Sequence, residues 1–493
     1  MFTSENEPAR RSFVGIVFAA AFLASGCDLA PKYSRPSVAT PTAFKELPAQ
    51  TSADGTVWKP AEPRDAQDRG DWWELFNDQK LDEYESRLDG SNQNVASAAA
   101  AFLAARAVVA QARAGYYPSV GMSPSVTRSH TSANTTGIGS NRTFTDYALS
   151  FDASWEIDFW GKTRNAVAAN LFAAQAGAAE LESVRLSAHA ELAVDYFELR
   201  AQDEFQVLLD SAATAGGESL SLIRTLNKTG IDSDQTVAQA QALFEAARAQ
   251  AANAGLLRAQ YEHAIATLLG VSASDFAILP EPFQAPATAI PPGIPSDLLE
   301  RRPDIAAAER AVAEANARIG VARAAYFPSL TLGASGGFES FSAANWLTWP
   351  SRFWSLGAGA AQTLFDAGLR RATVRQYKAI YEQTVADYRQ TVLSAFQQVE
   401  DDLASVRISS EDAARQDAAV DAGRRNVEES RARYRAGLAS YIDLLAAENS
   451  LNVLDQTALA FRIQQVVANV RLIEALGGGW NASRLPQPKE LRQ

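Results

Sequence analysis

Two long stretches without proline constrain this chain more than any other feature. Residues 162–227 and 370–435 each lack proline and have a good helix-forming composition, interrupted only by a few glycines. At 1.5 Å per residue, some 65 residues extend about 100 Å. The second stretch carries a seam of apolar residues at spacings of 3 and 4, namely Val374, Tyr377, Tyr381, Val385, Tyr388, Val392, Phe396, Val399, Leu403 and Val406. This spacing is close to the 3.5-residue repeat of a coiled coil, so neighbouring helices must cover it, either as a partner coil or as a closed ring.

The chain is also an internal tandem repeat. Residues 113–120, Arg-Ala-Gly-Tyr-Tyr-Pro-Ser-Val, match residues 323–330, Arg-Ala-Ala-Tyr-Phe-Pro-Ser-Leu. Both long helices end at a glycine, Gly230 and Gly437, where the chain can reverse. Return helices are predicted over about 233–269 and 440–476. The predicted organisation is a signal peptide over 1–26, an extended leader over 27–75, a first repeat over 76–270, a linker over 271–295, a second repeat over 296–478 and a C-terminal tail over 479–493.

Each repeat contains two segments with the period-2 alternation of β-strands. They are predicted over about 118–131 and 145–158 in the first repeat, and over about 328–341 and 352–364 in the second. Tyr147, Phe151 and Trp155 alternate with acids and serines. A soluble sandwich would bury the apolar face as its core, whereas a membrane barrel would turn it to lipid. Strands of about 10 residues or a little more, with tryptophans near their ends, favour the tilted strands of a barrel.

The N-terminus has the features of a secretory signal followed by one cysteine. Arg10 and Arg11 precede an apolar run over 13–24, which is too short to span a bilayer comfortably, and small residues then lead into Cys27. Cys27 stands where a bacterial lipoprotein carries its lipidated first residue. Asp28, which follows it, favours inner-membrane retention in enteric bacteria. The alternative is a plain cleaved signal with an incidental thiol.

Composition excludes several classes of function. A net charge of −12 and a pI near 5.0 argue against a nucleic-acid partner. One cysteine and three scattered histidines leave little for a metal site or a catalytic triad. The acids Glu400, Asp401 and Asp402 cluster, but neighbours on a helix point in different directions, so a solvated or lumen-facing role is predicted. We therefore expect no enzyme activity, no cofactor and no metal.

Several motifs together resemble the outer-membrane factor family, the TolC-like channels, and in particular its lipidated efflux branch. They are the stretch over 301–332, the tryptophan pair over 71–73, the segment over 155–162, the segment over 364–368 and the segment over 434–437. The resemblance implies mixed α and transmembrane β structure. Each chain of a homotrimer would give four strands to a 12-stranded barrel that is continuous with a long periplasmic α-helical barrel. Pro118, Pro328, Gly161 and Gly368 would mark the junctions of barrel and tunnel.

The resemblance also implies a gate and partners. Asp443 matches an aspartate that narrows the periplasmic end, and Tyr434 matches a residue that ties the closed tips together. The other interpretation of Asp443 is an ordinary first-turn acid of a helix. The tip turns at Gly230, Ile231, Gly437 and Leu438 would bind a periplasmic adaptor, a membrane fusion protein, which joins the channel to an inner-membrane pump of the resistance-nodulation-division type. The other interpretation is that these residues only form the turns.

Two positions depart from the family pattern at the tips. Ala446 stands where a second acidic ring would lie, and Thr236 stands where an acid would meet the tip tyrosine. The closed state could therefore be held differently, with Asp232 or Asp234 as substitutes. The rival function is a periplasmic lipoprotein adaptor or structural coiled-coil protein, and four amphipathic strands of membrane length argue against it. The predicted location is the outer membrane of a Gram-negative bacterium.

Overall fold

The computed structural model describes residues 29–46, 71–134, 142–283, 298–480 and 482–492. Cys27, the predicted signal peptide and residues 284–295 of the predicted linker lie outside these residues. The helices are α1 (Gln79–Ser91), α2 (Gln93–Ala114), α3 (Lys162–Lys228), α4 (Asp234–Leu268), α5 (Pro303–Ala324), α6 (Leu369–Arg435) and α7 (Tyr441–Ala475), with a short helix at Leu298–Arg301 and a 3₁₀ turn at Trp72–Phe76. The strands are β1 (Ser119–His130), β2 (Thr143–Ile157), β3 (Ser329–Ser340) and β4 (Arg352–Ala361).

The helices form four columns that lie side by side. The long helices α3 and α6 are one column each, packed against their return helices α4 and α7. The other two columns are each made of two helices end to end. Asn92, the N-cap of α2, donates from its side chain to the carbonyl of Leu268 at the end of α4 at 2.9 Å. Arg302, just before α5, donates in the same way to the carbonyl of Ala475 at the end of α7 at 2.9 Å. The repeat thus builds each half of the helical region in the same manner.

The four strands form one antiparallel sheet in the order β1-β2-β3-β4. Its register places most of the large apolar residues of the four strands on one face, with Phe144 and Phe353 as exceptions. This face carries Val120, Met122, Leu149, Phe151, Trp155, Leu332, Phe338, Trp354 and Leu356. The other face carries Ser123, Ser150, Asp152, Ser154, Thr331, Ser335 and Ser355. At the rim next to the β3–β4 loop, Tyr147 packs on Trp346 with ring centroids 5.9 Å apart, and the Arg352 guanidinium lies 4.1 Å from the Trp349 ring centroid.

The passages from sheet to long helix have the same construction in both repeats. Pro118 and Pro328 immediately precede β1 and β3. Gly161 and Gly368 take left-handed backbone angles, φ of 75° and 89°, at the N-caps of α3 and α6. An aspartate shortly before each glycine caps the helix that follows. β4 ends at Ala361, three residues before the predicted limit, because the chain already turns there toward α6.

Asp158 and Asp366 hold these two turns. The Asp158 carboxylate accepts the backbone N–H groups of Thr163 and Arg164 at 2.9 and 2.8 Å. The Asp366 carboxylate accepts the N–H of Gly368 at 2.9 Å. Both satisfy donors that a helix start leaves without an intrahelical partner. Sequence reasoning did not single out these two acids, although the signal was available as an aspartate two or three residues before the glycine in each repeat.

The 3₁₀ turn at Trp72–Phe76 and helix α1, together called the collar, pack on α3 around buried aromatic residues. Trp72, Trp73 and Phe76 are buried together with residues of α1, α3 and α7. Trp73 stacks on the imidazole of His189 at 4.5 Å between ring centroids. The imidazole Nδ1 lies 2.6 Å from a Glu85 carboxylate oxygen, and its Nε2 lies 3.3 Å from Asp89. The buried His189 of α3 therefore joins α1 to α3.

The protonation of this pair links collar stability to pH. Burial lowers the pKa of His189, but the hydrogen bonds and charges of Asp89 and Glu85 outweigh it and raise that pKa to about 9 from the ordinary 6.5. Burial also raises the pKa of Glu85, to about 7 from 4.5. A raised folded-state pKa gives a contribution to stability that is present below the ordinary pKa and is lost as pH rises through the raised value. Both groups therefore favour the folded protein at lower pH.

We expect the thermal midpoint of the purified protein to fall as pH rises from 6.5 to 9, by a loss of roughly 1–3 kcal/mol in unfolding free energy. The double variant His189→Gln with Glu85→Gln removes most of this slope, because it takes away both titrating groups. His263→Gln, at an exposed position of α4, is the matched control and keeps it. A slope that is the same in all three proteins would contradict the assignment.

Gly368→Ala is expected to destabilise the protein by about 1–2 kcal/mol because alanine is strained at this positive φ. An added Cβ there meets no atom within 4 Å, so the backbone term is isolated. Gly177→Ala, inside α3 where the nearest atoms to a Cβ are 3.9 Å away, is the control and should be neutral or slightly stabilising. Thermal unfolding measures both, and equal effects would exclude the strain argument.

Candidate functional site

The ends of α3 and α6 that lie far from the sheet form two helical hairpins that end in the same turn. Below, the first hairpin means α3 and α4, and the second hairpin means α6 and α7. Gly230 and Gly437 have φ of 76° and 72°. In the first hairpin the N–H of Ile231 donates to the carbonyl of Leu226 at 3.0 Å, and in the second the N–H of Leu438 donates to that of Arg433 at 2.9 Å. These are the bonds of a Schellman motif, which ends a helix and reverses the chain.

The tip turns leave apolar side chains in solvent. Ile231 is 74% exposed and Leu438 is 72% exposed, while Ile442 on the first turn of α7 is 43% exposed. Forming the turn does not require such exposure, since Gly230 and Gly437 provide the backbone geometry. Single exposed apolar residues are common at protein surfaces, but here they recur at equivalent places in both repeats. The structure therefore brings the predicted docking residues to one end of the molecule.

Asp443 lies in the first turn of α7 and is exposed. Its N–H donates to the Ser440 hydroxyl, and its Oδ2 accepts from the Ser440 N–H at 3.0 Å and from the Ser440 hydroxyl at 2.8 Å. This is a reciprocal capping box. The ordinary role of a first-turn acid is therefore realised, and it fixes where the carboxylate lies.

Tyr434 is half-buried at the end of α6 and packs on a second tyrosine. Its ring lies edge-on to Tyr441, with centroids 5.3 Å apart. Thr236 is buried at the start of α4, where its hydroxyl lies 3.1 Å from that of Ser233. The substitutes considered from sequence are occupied within the first hairpin. The Asp232 carboxylate accepts the Ser233 N–H at 2.9 Å, and the Asp234 carboxylate accepts from the Asn227 side chain at 3.0 Å.

The leader is fixed along α5 and α6. Near the sheet, Arg323 and Asn316 donate to the carbonyls of Leu29 and Pro31 at 3.3 and 2.8 Å. Phe44 is buried among residues of α5, α6 and α7. At the end of the leader farther from the sheet, the Glu400 carboxylate accepts the N–H groups of residues 45 and 46 at 2.8 and 2.9 Å.

Glu400 therefore does more than the solvated or lumen-facing role predicted for it, because it anchors the leader. Sequence reasoning missed this role, since nothing local in α6 distinguishes Glu400 from its neighbour Asp401. Asp402, next along the helix, points elsewhere and is half-buried, and burial raises its pKa to about 6. The three acids do point in different directions, as their spacing on a helix predicts.

One described helix, α2, is long and apolar enough to cross a membrane by length and composition alone, yet only 11% of its most apolar window is buried. It packs mainly on α3. Among the described residues, no group of three or more His, Cys, Asp or Glu side chains is arranged to hold a metal ion.

Comparison with known proteins identifies this architecture. A family model described as outer membrane efflux protein matches residues 86–271 and 294–478. The toluene efflux pump outer membrane protein TtgF of Pseudomonas putida is 30% identical over 93% of this chain and 95% of its own. The pyoverdine export outer membrane protein OpmQ of Pseudomonas aeruginosa is 29% identical over 95% of this chain and 97% of its own.

Solved structures agree with the sequence matches. The outer-membrane channel OprN superposes with a TM-score of 0.84 at 27% identity, over 92% of this chain and all of that chain. The open state of the Neisseria gonorrhoeae MtrE outer membrane channel superposes with a TM-score of 0.79 at 25% identity, over 92% of this chain and 99% of that one. The predicted fold class, a trimeric 12-stranded barrel continuous with a helical barrel, is confirmed as that of these channels.

The rival interpretation, a periplasmic adaptor or structural coiled-coil protein, is not supported by these matches. The family consists of transport ducts. The chain belongs to the outer membrane efflux protein family, and it is an outer-membrane channel of a tripartite efflux system.

Proposed function

We propose that three copies of this chain form one passive exit duct, in which β1 of each copy pairs with β4 of the next. The observation that carries this proposal is the sheet with two open edges and one continuous apolar face. Backbone groups left unpaired in lipid cost several kcal/mol each, so a four-stranded sheet cannot span a membrane alone. The neighbouring copy would also cover the exposed side of α2.

The two tip turns are the proposed docking surface for a periplasmic adaptor, with Gly230, Ile231, Gly437 and Leu438 at its centre. Exposed isoleucine and leucine at matching places of both repeats would give six similar apolar contacts per trimer. The pump would be of the resistance-nodulation-division type and would supply the energy. Relatives of this chain are named for toluene efflux pumps, which supports a pump partner but leaves the cargo of this chain unassigned.

The proposed gate lies at the same end. In a trimer, three Asp443 carboxylates would surround one axis, where like charges attract cations and repel anions. The capping box supports this proposal because it holds the carboxylate at a fixed place in the first turn of α7. Tyr434, which packs beneath the turn at Gly437, would help to keep the second hairpin in its closed position.

Cys27 is the proposed lipidation site. The Leu29 carbonyl is bound by Arg323, only a few residues before the start of β3 at Ser329. Leu29 therefore lies near the level where the strands begin, which supports a lipid anchor two residues earlier in the chain. The proposed division follows the sequence, with the signal peptide over 1–26 and the lipidated leader over 27–75. The two repeats over 76–270 and 296–478, the linker over 271–295 and the tail over 479–493 complete it.

In outer-membrane fractions, the protein is expected to migrate as a heat-modifiable trimer. After purification, it is expected to show low, cation-preferring conductance in planar bilayers. Asp443→Asn should reduce the preference for cations several-fold because the charge is removed while an oxygen remains to cap α7. Asp443→Ala should do the same and also weaken the helix start. Reversal potentials in a salt gradient measure the preference, with the exposed, neutral substitution Ala446→Ser as control. Unchanged ion selectivity in both aspartate variants would sink the gate assignment.

Cys27→Ser is expected to abolish the incorporation of labelled palmitate and to leave the protein without its lipid mass. The body of the protein should still fold and form trimers, because the leader makes its contacts through residues 29–46. Intact mass spectrometry of the mature chain decides the matter. A wild-type mass without added acyl chains would show that the thiol is incidental.

A further inference from the structure

We propose that the two hairpins of one chain are held together at the closed tip by a hydrophobic cluster centred on Tyr441, and that no charged contact is needed there. Tyr441 and Leu444 would then be gate residues in addition to Tyr434. This inference rests on the proposed gate at the periplasmic tips. It answers how the closed position is held in a chain that has Thr236 and Ala446 where acids were expected.

The cluster joins residues of both hairpins. Its buried members are Leu220, Ile223, Ala240, Tyr441 and Leu444, and Val237, Phe244, Tyr434 and Leu445 pack against it. Tyr441 is 6% exposed although it is the first residue of α7 and lies next to the exposed Ile442. A large aromatic side chain at a helix start near a solvent-exposed turn becomes buried only if another element covers it. Here the first hairpin provides that cover.

Charged contacts near the tips run within a hairpin. Arg431 and Glu448, at 2.9 Å, connect α6 to α7 within the second hairpin. Arg462 and Asp417, at 2.6 Å, do the same farther from the tip. Among the described residues of the tip region, over 214–252 and 416–454, no ion pair joins the first hairpin to the second. Salt bridges therefore stiffen each hairpin, and apolar packing connects the two.

The first hairpin has a local adaptation that places an aromatic ring beside the cluster. Gly216 and Gly217 of α3 lie under Phe244 of α4, and a Cβ at Gly217 would be only 3.2 Å from the Phe244 ring. The Arg248 guanidinium lies over the same ring at 5.6 Å from its centroid. The two glycines weaken the helix locally, but they let the Phe244 ring approach α3 closely. Phe244 then packs against the cluster.

The tyrosine rings contribute more to this contact than their hydroxyls do. The Tyr434 and Tyr441 rings meet edge-on at 72°, an arrangement favoured by aromatic quadrupoles. The hydroxyl of Tyr441 is buried and has no hydrogen-bond partner of normal geometry among the described residues, and burial raises its pKa. Removal of the ring would open a cavity at the contact between hairpins, whereas removal of the hydroxyl alone would leave the apolar packing intact.

The test compares single-channel recordings of purified trimers in planar bilayers. Tyr441→Ala is expected to raise the open probability or mean conductance by about tenfold, the change produced by losing roughly 1.4 kcal/mol of closed-state preference. Leu444→Ala should act in the same direction. Tyr441→Phe and Tyr434→Phe should open the channel far less than Tyr441→Ala does, because the rings remain. Ile442→Ala, exposed on the same helical turn, is the matched control and should behave as wild type.

Each result has one meaning once trimer formation of every variant has been verified by its heat-modifiable migration. If Tyr441→Phe or Tyr434→Phe opens the channel as much as Tyr441→Ala, a polar link holds the tip and the cluster proposal is overturned. If Tyr441→Ala and Leu444→Ala both form trimers and stay closed, the cluster is not the latch. If wild type and all variants fail to form trimers or to conduct, the proposed duct itself fails, which is a different outcome from either of these.

Discussion

Unpaired backbone groups cannot remain in the hydrocarbon of a membrane, because each one costs several kcal/mol. In this chain the constraint falls on β1 and β4, the two open edges of a single sheet. It explains why so much of the molecule is uncovered when one copy is considered alone. The exposed strands, the bare side of α2 and the apolar face of the sheet are surfaces for lipid or for another copy. The strands β2 and β4 continue into the long helices α3 and α6. The helical columns of the copies are therefore arranged with the same symmetry as the strands of the barrel.

The predictable part of this structure is the part encoded locally. The long helices begin and end within about two residues of the predicted limits, because Gly161, Gly368, Gly230 and Gly437 mark those ends by their backbone angles. Strand faces were predictable for the same reason, since alternation in the sequence becomes a face of the sheet once the register is set. Helix α1 was not identified, because its apolar residues are few and the partners that bury them lie on α3.

The unpredicted part depends on partners far away in sequence. His189 meets Glu85, 104 positions away, and Glu400 meets the leader at a separation of 354–355 positions. Tyr441 looks like any aromatic residue at a helix start until the first hairpin is placed beside it. Asp443 is an instructive intermediate case. The sequence offered an ordinary first-turn acid and a gate residue. The structure shows the first-turn acid as part of a capping box, in which both bonds from Ser440 end on one carboxylate oxygen.

The leader along α5 and α6 has a consequence for the order of folding. Residues 29–46 are among the first to be synthesised, but they bind Asn316, Arg323, Glu400 and Arg407, which belong to the last 180 or so residues. Contacts of such long sequence separation form late, because the intervening chain must be ordered first. The leader over residues 29–46 therefore binds last, after the second repeat has reached its native arrangement.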